Sequence, residues 1–211
     1  MSELLSLPPE LLLEIAINLP TFLALRAFAL THPRVHDLVC LNTARICSSV
    51  LRSDFGDLYP LALSLLFCPP STNGFNPGAR EVAEMLSSRR RVRLLAQKWV
   101  NAVLNRMGFS ADHYHAPTFT DRQWTRITRA CYRCWYIMRM DPAEVKEMDL
   151  RAEYGTEGLA EMREFIEFVG TDGLAVLPGG DTKALQVVVD AAESARIRVC
   201  CMNLVLIREW F

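Results

Sequence analysis

The sequence has almost no net charge, no apolar run long enough for a membrane span, no cysteine framework, no repeat and no catalytic signature. Each absence removes a class of protein. Formal charge sums to −1 at neutral pH, so the chain as a whole has no pull towards nucleic acid or anionic membrane. The apolar stretch Leu61 to Cys68 falls far short of the roughly 20 residues of a spanning helix. Glu3 and Glu10 stand where a secretory leader would carry basic residues, so no leader is expected. Seven cysteines make an odd number without regular spacing, which fits reduced thiols in the cytoplasm or nucleus. No fixed period marks a leucine-rich, WD40 or kelch array. G-x-S-x-G, H-E-x-x-H and the kinase signatures are missing, and no enzyme activity is expected.

What is present is apolar and helical in period. Apolar residues make up 51% of 211, enough for a core in one domain or two small ones. The chain is organised around Leu4 to Leu38. Leu7, Leu11, Ile15 and Leu19 follow a four-residue step and share one helix face, with Leu12 and Ala16 widening the stripe. Pro8 and Pro9 stand at the front, where the first amides have no partner within the helix. Pro20 closes the segment, because the residue before a proline is pushed from helical angles. A second apolar helix is predicted over Thr21 to Leu30, and Pro33 starts a third through Leu38. Three small helices are too little chain to bury a full core alone, so the module is expected to share its core.

This stretch resembles the F-box, in particular that of fungal proteins. The opening Leu7-Pro8-x-Glu10-Leu11 matches, as do Ile15, Leu19-Pro20, Leu25 and Ala29-Leu30-Thr31, without a gap over about residues 4–45. It departs from the family pattern at Ala24, at Pro33 and in having no tryptophan over residues 39–50. The resemblance implies docking on the Skp-type adaptor of a cullin-RING ubiquitin ligase, and through it on a cullin scaffold. It implies Leu7, Pro8, Leu11, Ile15, Leu19, Pro20, Leu25 and Leu30 as the set that faces the adaptor or forms the module. The same residues also read as a helical hairpin, which would serve protein interaction outside ubiquitin ligation.

Beyond the motif, Asn42 to Phe67 reads as one or two helices that finish packing the N-terminal module, with Asp57 a candidate cap. Residues 68–78 hold three prolines and two glycines, the predicted boundary between an N-terminal part (1–67) and a C-terminal part (79–211). Arg80 to Met107 has one helical pattern, Val92, Leu95, Trp99 and Val103, with Leu86, Leu94 and Leu104 beside them; Ser87 and Ser88 leave room for two helices. Residues 109–117 read as a loop. Thr120 and Gln123 form a capping-box pattern before a helix to about Met140, striped by Trp124, Ile127, Cys131, Cys134, Trp135 and Met138. Asp141, Pro142 and Glu144 restart a helix. Thr156 caps another, with Leu159, Met162, Ile166 and Val169 inward and Gly170 closing it. Residues 170–181 read as loop, and Asp181 caps a helix over Leu185 to Ala195. The final stretch fits strand or helix. The expected fold is all-α.

Three clusters carry candidate chemistry. Cys131-x-x-Cys134 with His113-x-His115 has the donor types of a zinc site. Both cysteines lie on an apolar stripe, however, where free cysteine serves as a small buried hydrophobe, and no metal or cofactor is expected. Cys200-Cys201 diverge as neighbours. Arg89, Arg90, Arg91 and Arg93, extended by Lys98 and Arg106, could meet phosphate, an acidic partner surface or a nuclear import receptor; the solvated face of an amphipathic helix is the favoured reading. No aromatic stacking platform accompanies them, so nucleic acid is not expected as a partner. Pro178-Gly179-Gly180-Asp181-Thr182-Lys183 lacks the P-loop spacing and reads as a turn with a helix cap. The target of such a receptor would be a protein recruited by the C-terminal part.

Overall fold

Prolines and small polar caps set the helix starts of this chain. A computed structural model describes residues 6–66, 78–106, 108, 119–175 and 177–194. Among these, every regular element is a helix, so the chain is all-α as expected.

The first helix, α1 (Pro9–Ile17), starts with a proline in its first turn, and Asn18 ends it. Helix α2 (Phe22–Ala29) is capped by Thr21, whose hydroxyl accepts from the Ala24 amide at 3.1 Å. Helix α3 (Pro33–Leu41) is capped by the His32 ring, which accepts from the Arg34 amide. Each helix has only about two turns, too few to persist without tertiary packing. That packing comes from α4 (Thr43–Phe55): Ala16, Leu25, Ile46 and Val50 form one buried cluster, so the first three helices do not close on themselves. Around it sit Leu13, Ile17, Leu19, Phe22, Phe28 and Val39. A short 3₁₀ turn, Gly56–Leu58, leads into α5 (Tyr59–Ser64). Asp57 lies within that turn and makes no cap hydrogen bond to α5, contrary to the sequence expectation. Pro60 supplies the start instead, since its fixed φ suits a first turn.

Helix α6 (Ala79–Arg106) runs unbroken through Ser87 and Ser88. Ser88 faces inward with Met85, Val92, Leu95, Trp99 and Val103, and this long inner stripe outweighs the weak propensity of the two serines. The chain divides into two compact units, Met1–Ser88 and Arg89–Phe211. The division falls inside α6, whereas the sequence places it at 68–78, of which 68–77 lie outside the described residues.

The second unit is built on α7 (Asp121–Arg139), α8 (Pro142–Glu147), α9 (Leu150–Leu174) and α10 (Lys183–Ser194). Helix α9 packs on α7 and α10, and α10 also touches α7 and α8. The capping box at the start of α7 is complete: the Thr120 hydroxyl accepts from the Gln123 amide, and the Gln123 side chain accepts from the Thr120 amide at 2.8 Å. Asp141 caps α8 through the Ala143 amide. Within α9 the backbone leaves helical angles at Gly155 (φ 67°) and Gly170 (φ 74°). The central piece between these breaks is the helix predicted from Thr156. A further turn follows Gly170 where the sequence suggests loop, because Leu174 is fully buried and draws it in. The turn before α10 docks on the end of α7: the Trp135 indole donates to the Pro178 carbonyl at 3.3 Å, and the Asp181 amide to the Met138 carbonyl at 2.7 Å.

Candidate functional site

In the first unit, helix packing sorts the predicted adaptor-facing residues. Leu25 is buried and belongs to the core. Leu7, Ile15 and Leu19 are half-buried, Leu19 against that core. Pro8 and Pro20 are exposed. Leu11 is 50% exposed and Leu30 71%. The fully buried residues of α1 are Leu12 and Ala16, so the inner face is not the 7-11-15-19 stripe but its neighbour. Both stripes have a four-residue step, and they lie about one residue's rotation apart.

Two more leucines face water here: Leu23, 76% exposed on α2, and Leu41, 85% exposed at the end of α3. Sequence reasoning passed over both. Their signal is an apolar residue out of phase with the Leu25 and Val35 burial pattern, which shows only once the inner face is known.

The second unit holds a buried polar cluster of a different character. Glu161 on α9 is almost fully buried. It accepts from Arg126 Nε at 2.9 Å and from Arg133 Nη1 at 3.2 Å, both on α7. Arg126 also reaches the exposed Glu157 at 3.5 Å. Arg133 crosses α9 over Gly158, where a Cβ would stand 2.7 Å from its Nη1, and it lies 5.6 Å above the Tyr154 ring. Only a residue without a side chain admits the guanidinium at that height.

One turn on, Glu164 is equally buried, and its Oε1 finds no hydrogen-bond partner among the described residues. Burial lifts its carboxyl from the usual value near 4.5 to about 7; Arg126 opposes the rise, while Glu167 and Glu161 add to it. The Trp99 indole N–H is likewise unpartnered among the described residues. Trp99 and Glu164 line one cavity of about 10 Å³ together with Arg126, Ile127, Ala130, Glu161 and Phe165. A space of that size is at the lower limit for a single water and is too small for a substrate. Raised by burial, Glu164 takes up a proton more readily than a free carboxylate does. The sequence carries no local signal for the cluster: Glu161 and Glu164 are buried, yet they lie off the Leu159, Met162 and Ile166 stripe by helical spacing.

Cys131 and Cys134 are fully buried free thiols on the inner face of α7. Burial pushes both thiols up, Cys131 further through its neighbour Cys134. The Cys134 thiol points at the Met162 carbonyl, 3.8 Å away. His113, His115, Cys200 and Cys201 lie outside the described residues, and among those described no three His, Cys, Asp or Glu side chains gather as a metal set. Arg90, Arg91, Arg93 and Lys98 are exposed on α6, and Arg106 sits 4.6 Å over the Phe168 ring. Asp181 accepts from the Lys183 amide as a helix cap. No helix among the described residues is long and apolar enough to cross a membrane.

No family model, curated protein or solved structure matches this chain.

Proposed function

We propose that the chain is an F-box-type substrate receptor, docking a Skp-type adaptor of a cullin-RING ubiquitin ligase through its first helices. The reading rests on the resemblance of residues 4–45, and one observation carries it furthest. Leu11 on α1, Leu23 on α2 and Leu30 at the C-cap of α2 face water, beside a core that buries Ala16, Leu25, Ile46 and Val50. Contact with a partner would remove those side chains from water, at roughly 1.5–3 kcal/mol for each leucine fully covered. A micromolar complex rests on about 8 kcal/mol, so three such contacts supply much of the drive. The protein itself performs no chemistry in this role. It holds a target close to a loaded conjugating enzyme and raises the effective concentration of the target's lysines.

The test is binding of the full-length chain to purified Skp-type adaptor by calorimetry. The expected result is a complex that Leu11→Asp with Leu30→Asp weakens by at least about a hundredfold, since each aspartate would need to be buried unpaired. Both positions are exposed in the free chain, so the circular-dichroism signal is expected to stay. Absence of binding by the parent protein, or binding indifferent to both substitutions, sinks the proposal.

A further inference from the structure

The outer face of α6 carries Arg90, Arg91, Arg93 and Lys98 around a single exposed leucine. From Met85 to Arg106 the sequence has six Lys and Arg residues and no acid. A solvated helix normally mixes the two signs, because like charges one turn apart repel. Leu94, 59% exposed, sits at the centre of this face. Arg90 and Lys98 lie one turn to either side at four residues, with Arg91 and Gln97 at three; all four are exposed. Arg90, Arg91, Arg93 and Lys98 make no ion pair among the described residues. The amide of Gln97 donates to Asn101 at 3.0 Å along the same face, so these two side chains are already paired with each other.

We infer that this face docks an acidic amphipathic protein segment, with an apolar side chain on Leu94 and carboxylates on Arg90, Arg91 and Lys98. The surface lies within the second unit, and the inference holds whether or not the N-terminal helices bind an adaptor. A nucleic acid backbone would answer the cations but leave Leu94 facing phosphate and water, and the aromatic residue of this stretch, Trp99, is buried on the opposite side. A bilayer needs a wide apolar face on the inserting helix, and one leucine does not provide it. Charge complementarity around one apolar contact fits a protein partner: the cations steer the approach, and the leucine is the desolvated centre.

The experiment uses the full-length chain and a fluorescein-labelled helical peptide with glutamates flanking a central leucine, read by anisotropy at low salt. Duplex DNA and phosphatidylserine vesicles are run beside it. The peptide is expected to bind, with affinity lowered at least about tenfold by Arg90→Glu with Lys98→Glu. Leu94→Ala is expected to cost the peptide roughly fivefold, since methylenes leave the contact. Each variant is checked for an unchanged melting curve. Peptide binding insensitive to the charge reversal, or to Leu94→Ala, overturns the inference. So does tighter binding of DNA or vesicles than of the peptide. Self-association that the charge reversal abolishes would make the occupant a second copy, whose residues 141–157 hold six acids, and would also overturn it.

Discussion

Glu164 shows how one buried carboxyl sets a pH dependence. Its folded value, about 7, is raised above the usual one near 4.5, with burial the main cause. Between those values the folded chain holds a proton that the unfolded chain has released. Stability therefore falls as pH rises through that window, and the full penalty applies above about 7. Its size is roughly 3 kcal/mol, since each pH unit of displacement counts about 1.4 kcal/mol. Glu164→Gln keeps the shape and removes the charge. The expected outcome is a variant about 1–3 kcal/mol more stable than the parent at pH 8 and nearly equal to it at pH 4.5. Denaturant melts of both proteins at the two pH values measure this; an equal difference at both would mean that Glu164 does not titrate in this range.

At the scale of the element, the crossing of Arg133 over Gly158 ties α7 to α9. A methyl group in place of the Gly158 hydrogen would stand 2.7 Å from Arg133 Nη1 and push the guanidinium off Glu161. Alanine gains about 1 kcal/mol of helix propensity over glycine, while losing one donor from a buried carboxylate costs more, up to about 3–5 kcal/mol. Gly158→Ala is thus expected to destabilise by roughly 1–3 kcal/mol in the parent and to stabilise slightly in an Arg133→Met background. A double-mutant cycle reads the coupling, and additive effects of the two changes refute the account.

The helices themselves were largely legible, because their signals are local. Thr120 with Gln123, Asp141 with Pro142, and Pro9 in its first turn each announce a helix start within four residues. The inner face of α1 was not legible, since Leu11 with Ile15 and Leu12 with Ala16 have the same step, and only the position of Ile46 and Val50 decides between them. Nor were the buried acids. A glutamate on a helix is exposed by default, and Glu161 goes inside because two arginines from another helix meet it there. That pairing spans 28 and 35 residues of sequence and leaves no local mark.

For the whole molecule, the division into compact units at Ser88 and Arg89 predicts that two cores unfold separately. Ile46 and Val50 anchor the first, and Met162, Phe165 and Trp135 the second. Each core also holds buried thiols: Cys47 in the first unit, Cys131 and Cys134 in the second, while Cys40 is exposed. Only a thiolate attacks an alkylating reagent, and only where the reagent can reach it. Burial denies both conditions to Cys131 and Cys134 and raises the Cys47 thiol as well. The cysteines are in effect a built-in clock with separate hands. Iodoacetamide followed by peptide mass spectrometry is expected to modify Cys40 at once, and Cys47 in step with the opening of the first unit. Cys131 and Cys134 are expected to react together, each time the second unit opens. In a denaturant series Val50→Ala should hasten the Cys47 hand alone; if it hastens Cys47, Cys131 and Cys134 equally, the two cores unfold as one.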